Sequence, residues 1–526
     1  MSIFPKLEVK TPQMAHHPLS HYFRTSMCVG PLFPIYVRPM SAGEILPLNL
    51  QSLVNTQALL SPLYGTFRLK IMAFFAGTSL YVPKLWRNGS MKNSDGKLDA
   101  GYPTFTFKPV SETAVKSTDL LSPLQILSYL GYGSNFFDVT RTQSTQKEQN
   151  AIPLLMLYDI YRHYFVNRQE DLYYFFQGGS PTMNGASLSA LDELFANLPY
   201  DGGNINNLIS SVGGLGAAIN DLSTPLAGFV TGTYLPDRMN VILNSEFYEN
   251  NVTSVTVSTV GDQFVVDQLV TAKKLWNARN KDSMTNGTFK DWVRVHFGVT
   301  PKIMDDMPTF LGATTSNINF EDIRATTYTK DSEGVEQFLG DKASSGLSYS
   351  SSRKIVCRAD RPGYVMVLAQ IVPYVDYYQF THRYTMSTKL SDEFNPDFNN
   401  IGLQDVLVSD LNTDYSSVTD FSGLDDPATV SVGKQPAYTD LITEVNEVRG
   451  TFCTTENSWV LTRDMRSFPD DDIDPVANTN KSAYINPADW NQPFALNSLA
   501  DQNFLVQFFI DSNVRSTILK RLLPNF

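Results

Sequence analysis

The chain has 526 residues, 42% hydrophobic and only 18% charged, with 33 Phe, 25 Tyr and a formal net charge of −12. The charged fraction falls below the roughly 25% usual for soluble domains, and the acidic balance excludes a protein coated in basic surface for nucleic acid, though not a local basic face. Many aromatic residues and few charges favour a subunit that buries surface against neighbours over a free monomer.

In chain order, the start "MSIFPKLEVKTPQM" lacks the continuous apolar core of a signal peptide. Residues 31–50 read as two extended segments around a turn at Ala42-Gly43, with Pro31, Pro34, Pro39 and Pro47 suited to edges and corners. Residues 67–82, "FRLKIMAFFAGTSLYV", alternate and then become continuously apolar, which predicts a strand. A short strand is expected at 104–109. Helical patches follow at 120–133 and 152–168, the second with Leu155, Tyr158, Tyr161 and Phe165 at helical spacing.

Residues 178–231 contain no Lys or Arg and are rich in Gly, Asn and Ser. They read as an inserted surface element with short helices at "SALDELFANL" and "NNLISSVGGLGAAIND". Residues 264–300 predict two helices, the first capped by Asp267 and the second by Thr288. The last third returns to strands: two runs within 353–377 around Asp360-Arg361-Pro362-Gly363, a second pair within 449–465 around Glu456-Asn457, and a buried strand at 503–511. Early and late strands with helical material between them, and no fixed-period repeat, predict one β-sandwich whose long loops carry helices. No run of about 18 apolar residues is present, so no membrane span is expected.

Catalytic motifs fail on inspection. "SVGKQPAYTD" at 431–440 contains Gly433-Lys434, but a phosphate-binding loop needs a first glycine where Ala428 stands and a hydroxyl where Gln435 stands. Pro436 also blocks the helix that should follow, which leaves a loop ending in a short capped helix near "YTDLITEVN". Pro18 separates His17 from His21 and disfavours the helix face their spacing would need for a metal, so terminal polar residues are the expectation for His16, His17 and His21. His163, His296 and His382 are solitary, each expected as a buried or interface histidine with one hydrogen bond. Asp470, Asp471, Asp472 and Asp474 lack the central glycine and terminal glutamate of a calcium loop and predict a solvated acidic loop. No GxSxG elbow occurs. Cys28, Cys357 and Cys453 form no CxxC pair and suit folding in a reducing cytosol. No catalytic, cofactor or metal residue is therefore assigned.

Near the C-terminus, "SNVRSTILKRLLPNF" places Arg515, Lys520 and Arg521 without acidic neighbours. They suit contact with phosphates. Ile518, Leu519, Leu522 and Leu523 equally suit packing on a neighbouring subunit, and apolar residues outnumber the charges there.

Several segments together resemble one family. "VGKQPAYTDLITEVNEVRGTFCTTENSWVLTRDM" at 432–465 resembles a late signature of the major capsid proteins of the Microviridae, small tailless single-stranded DNA phages. "GYVMVLAQIVPYVDYYQFTHRY" at 363–384, "DEFNPDFNNIGLQDV" at 392–406, "IPLLMLYDIYRHYFVNRQE" at 152–170, "FVVDQLVTAKKLWNARN" at 264–280 and the C-terminal segment are similar in the same order, and the gokushovirus and Bacteroidetes-associated groups look nearest. The resemblance implies a mainly β fold, a single eight-stranded jelly-roll sandwich with long, partly helical loop insertions. One domain would span 1–526, with early strands within 31–109, late strands within 353–511, helical and loop insertion material at 110–352, and a surface insertion at 178–231. It implies a structural, non-enzymatic subunit of a small icosahedral shell around circular single-stranded DNA, with other virion proteins and a bacterial surface receptor as partners. Such a shell is assembled in the host cytoplasm and found in the virion. Where gokushoviruses carry the insertion that builds threefold protrusions, near "TYLPDRMNVIL" at 233–243, this chain is short, so 178–231 is expected to supply a different outer feature. Gln435, Pro436 and Tyr438 are expected at a subunit contact, and Arg515, Lys520 and Arg521 at DNA. The alternative function is a carbohydrate-binding or carbohydrate-active sandwich, since fold does not fix function. It would need paired carboxylates, aromatic platforms and usually an export signal.

Overall fold

A computed structural model describes residues 13–86, 101–106, 126–132, 148–166, 172–176, 183–200, 202–205, 208, 289–300, 307–324, 329–330, 336–337, 342–351, 354–386, 394, 396, 403–407, 431–436, 438–462, 490–495 and 502–518. Among them, ten strands form one curled antiparallel system: β1 (Ala15–Pro18), β2 (His21–Met27), β3 (Phe33–Met40), β4 (Ile45–Thr56), β5 (Phe67–Gly77), β6 (Thr309–Arg324), β7 (Lys342–Ser351), β8 (Ile355–Arg358), β9 (Gly363–Pro373) and β10 (Phe504–Ser516). Their order is β1-β10-β4-β7-β6-β5-β9-β3, with β2 beside β10 and β8 beside β4. β6 makes the curl. Its residues 309–318 pair with β5, and 319–324 pair with β7. The strand thus passes from one layer to the other, as strands do at the corners of packed sheets. The layers are sheet I (β1, β2, β10, β4, β7, β8) and sheet II (β5, β9, β3 and the first part of β6).

Alternation decides which side chains fill the space between the layers. In sheet I, Leu46, Leu48, Leu50 and Val54 of β4 and Phe504, Val506, Phe508 and Ile510 of β10 turn inward. They share one core with Phe67, Leu69 and Ile71 of β5 and Val365, Val367 and Ile371 of β9. Phe67 sits among rings, 5.2 Å from Phe504 and 5.8 Å from Phe320 by centroid. Sheet II also buries its second face. Met72, Phe74, Ala76, Tyr364, Met366 and Leu368 pack on helix α1 (Ile152–Tyr164), whose residues from Ile152 to Ile160 are all buried. β5 and β9 therefore read as near-continuous apolar runs, as strands covered on both faces do.

Helix α1 starts where the Asn150 side chain accepts the Ile152 amide at 3.0 Å and Pro lies in the first turn, where its missing N–H costs nothing. It is tied to the sheet by a buried hydrogen bond of 3.1 Å from the Tyr81 hydroxyl to Asp159. Burial, with the Asp159 charge beside it, holds the Tyr81 hydroxyl well above its ordinary pKa. Arg162 then bridges at 3.0 Å to Asp192 of helix α2 (Leu188–Ala196). A third helix, α3 (Phe289–Phe297), buries Val293 in the same cluster.

The turn at Ala42-Gly43 forms as expected, with Gly43 at φ +85°, where a side chain would be strained. Pro34 and Pro39 lie on β3, the edge of sheet II, where a missing N–H is tolerated. The 67–82 strand ends at Gly77 in a 3-10 turn, and the 353–377 pair forms as β8 and β9.

Other expectations are corrected. β6 and β7 are long framework strands inside 110–352, so strands resume at 309 and not at 353. Their sequences, "TFLGATTSNINFEDIR" and "KASSGLSYSS", are rich in Ser, Thr and Gly and imitate a loop. Buried hydroxyls of β7 are satisfied across strands: Ser344 donates to the Glu321 carbonyl at 2.9 Å, and Ser348 to that of Asn317 at 2.8 Å. Strands also begin at Ala15, before 31, because β1 and β2 pair with β10, which itself runs on to Ser516. The expected strand pair at 449–465 is instead two 3-10 turns, Gly450–Cys453 and Asn457–Trp459. Local i to i+3 bonds, such as Trp459 N–H to the Glu456 carbonyl at 3.0 Å, win over the β-branched composition. Of 178–231, helix α2 buries Leu191 and Leu194 in the α1 cluster, so that part belongs to the packed body. The sequence-predicted helix within 264–280, the 233–243 segment and the acidic run at 470–474 lie outside the described residues.

Candidate functional site

The stretch 431–440 is a strand and a turn, not a loop. Ser431–Pro436 pairs antiparallel with Leu403–Leu407, setting Gln435 opposite Gln404 and Pro436 opposite Leu403. Proline ends the pairing because it has no N–H to donate. Tyr438 then takes φ +62°, a left-handed backbone rare for a side chain of its size, and opens the 3-10 turn Thr439–Leu441. The Phe394 ring meets the Tyr438 ring edge-on at 4.8 Å. At the end of the turn and beyond it, Leu441, Ile442 and Val445 point to solvent, Ile442 at 80% exposure. Among the three expected contact residues, Tyr438 is the one that leads into this apolar loop.

The loop is fastened to the segment after β9. Tyr377 N–H donates to the Asn446 carbonyl at 2.9 Å, and Val448 N–H to that of Tyr377 at 3.1 Å. Glu447 accepts on both carboxylate oxygens, from His382 and from Arg449, each at 2.9 Å. The His382 ring stacks on Tyr384 at 4.9 Å and meets Phe380 edge-on at 4.8 Å. The expected solitary interface histidine is thus part of an ion-pair and aromatic cluster. Sequence reasoning missed the exposed Tyr64, Tyr384, Ile442 and Leu60. The run "DLITEVNEV" carries the signal for its middle part.

An open cavity of about 320 Å³ lies beside this loop, lined by Tyr64, Thr66, Asn317, Tyr374, Asp376 and Asn446. Burial raises the Asp376 carboxyl above its ordinary pKa, and a hydrogen bond with the Leu461 backbone partly offsets this. Asp376 is the single carboxylate among the described lining residues, so the paired acids of glycoside hydrolysis are not assembled there. The Cys28 and Cys357 thiols are free and buried, and desolvation pushes both up to about 12, which makes them poor nucleophiles. Among the described residues, no group of His, Cys, Asp and Glu is placed to hold a metal.

Of the expected DNA contacts, Arg515 is on β10 and faces outward opposite His16 of β1. Lys520 and Arg521 lie outside the described residues, as do the leucines at 519, 522 and 523. Ile518 is exposed, and its carbonyl accepts from His17 Nε2 at 2.6 Å. His21 Nδ1 bonds the Leu19 carbonyl at 2.9 Å, so these histidines serve the β1–β2 edge.

Comparison with known proteins gives one family. The family described as capsid protein (F protein) matches residues 252–521, about half of the chain. A search of curated proteins returned no match.

Proposed function

The chain belongs to the capsid protein (F protein) family, the major capsid proteins of the Microviridae, and is a structural major capsid protein; from that premise we propose how it builds its shell. The family match over 252–521 carries the proposal, since it spans β6 to β10 and the 438–462 loop. Family membership implies an oligomeric shell and a place in the virion. Among the described residues, no helix is long and apolar enough to cross a membrane.

The finer proposal is an eight-stranded jelly roll repeated in a small icosahedral shell. The antiparallel order and the passage of β6 between layers support it. The apolar loop led by Tyr438, with Gln435 and Pro436 fixing its base, serves as a subunit contact. Exposed apolar patches of this kind mark association surfaces. Circular single-stranded DNA is the enclosed cargo, contacted by Arg515, Lys520 and Arg521. The 178–231 insertion supplies an outer feature, other virion proteins and a host surface receptor are the further partners, and assembly takes place in the bacterial cytoplasm.

Sedimentation and electron microscopy of the expressed chain test this. Closed particles of uniform size are expected. A stable monomer at high concentration overturns it.

A further inference from the structure

Among the described residues, sheet I leaves one face open. Strand register places specific side chains side by side on it, because residues directly opposite in antiparallel strands share a face. One row reads His16, Arg515, Ile45 and Arg358 across β1, β10, β4 and β8. A second reads Arg24, Gln507, Leu53 and Tyr349 across β2, β10, β4 and β7. Between them lies Tyr22, Phe509 and Gln51. Tyr22 and Phe509 are in ring contact at 4.7 Å, Arg24 lies over the Tyr22 ring at 5.5 Å, and Arg24 Nε donates to Gln507 at 2.8 Å. Tyr22 is 56% and Tyr349 70% exposed. Along β10, Gln507 to Arg515 spans about 27 Å at the ~3.4 Å rise of an antiparallel strand.

The charge on this face opposes that of the whole chain. Three guanidinium groups, Arg24, Arg358 and Arg515, project from it without a carboxylate partner among the described residues. Two acids share the face: Asp511, whose carboxylate already accepts the Ser20 hydroxyl at 2.7 Å, and the exposed Glu321 opposite Ser345 of β7, so the three guanidinium groups leave it with a net positive balance. Cations, exposed rings and amides interleaved on one surface match a flexible polyanion whose bases offer π-faces and hydrogen-bonding edges. A second copy of this chain, with net charge −12, could cover Leu53, Leu347 and Leu505 but offers no reason for the rings to alternate with guanidinium groups.

We infer that the open face of sheet I is the genome-facing wall of the subunit, with single-stranded DNA bases stacking on Tyr22, Phe509 and Tyr349 and phosphates meeting Arg24, Arg358 and Arg515. The inference rests on the shell reading above and adds which side of the sandwich is inner. Sheet II is covered by α1, so the two sides of the subunit are chemically unlike.

The test cross-links the full chain to a bromodeoxyuridine-substituted single strand and maps the modified peptides, alongside salt titrations of oligothymidylate binding. Cross-links are expected in 21–27, 342–351 and 504–516. The triple variant R24A/R358A/R515A is expected to lower the slope of log Kobs against log salt by roughly 2, at ~0.7 per neutralised phosphate. Arginine-to-lysine replacement at the same positions is expected to restore it. Cross-links confined to other segments, or an unchanged slope in a triple variant that melts like the parent, overturn the wall assignment. If the triple variant fails to fold, the cross-link map of the unmodified chain decides alone. Failure of the unmodified chain to form particles sinks the shell reading instead, which separates the two outcomes.

Discussion

Sheets I and II are built from strands of similar length and differ in what covers them. β9 of sheet II is buried along almost its whole length, whereas β10 of sheet I alternates strictly between buried and more exposed residues. Sheet II therefore completes its packing inside one chain. Sheet I presents Tyr22, Leu53, Leu347, Tyr349 and Leu505 to solvent. For a capsid subunit, a finished side and an unfinished side fit the wall inferred above, with stability from one layer and contact with the genome from the other.

Adjacent residues of β10 give the sharpest way to break this comparison. Phe508 is fully buried and Phe509 faces out. Phe508→Ala is expected to cost about 3–5 kcal/mol of subunit stability. Phe509→Ala should cost well under half of that. Chemical denaturation of the full chain measures both, and equal losses would mean that the open face is covered within the chain.

The α1 side of sheet II rests on a polar clamp. Asp159 accepts the Tyr81 hydroxyl and lies 3.3 Å from His163. Asp159→Ala strands a buried hydroxyl, with an expected loss of about 1–3 kcal/mol. Tyr81→Phe removes one partner while keeping the ring. A denaturation midpoint for Asp159→Ala that matches the parent would show the clamp to be ornamental.

Outside both sheets, Tyr438→Ala is expected to lower particle yield several-fold with little change in subunit melting. Its left-handed backbone and its contact with Phe394 aim the exposed loop without adding to the core. Normal particle yield from this variant would remove the 438–445 loop from the assembly surface.

The legibility of the chain follows the same division. β5, β9 and β10 announce themselves because burial writes apolar periodicity into sequence. β6 and β7 do not, because they are rich in Ser, Thr and Gly and because inward serines such as Ser344 and Ser348 are satisfied by carbonyls of the neighbouring strand, a partnership with no local signature. Tyr438 stands out in a segment that resembles the family, but the exposed Tyr384 and Ile442 do not. Exposure depends on the absence of tertiary neighbours, and no window of sequence reports that. The basic row on sheet I was equally hidden: Arg515 stood out from its acid-free context, whereas its alignment with Arg358 and His16 depends on registers across four strands.

The smallest expected effect concerns the cavity beside the loop. Asp376 is half-buried, and its folded pKa lies above the ordinary value of 3.8 because burial disfavours the charged form. The folded chain therefore holds this proton at pH values where the unfolded chain has released it. Stability contributed by the protonated carboxyl is fully present below 3.8 and declines as pH rises through the folded value. Asp376→Asn keeps the shape and removes the titration. It is expected to flatten stability against pH in the window just above 3.8 and to leave the variant slightly more stable than the parent at neutral pH. Denaturation midpoints measured across that window check the sign. A variant less stable than its parent at neutral pH would show that the ionised carboxylate is held by the Leu461 backbone more strongly than burial opposes it, and would make the loop anchor a polar one.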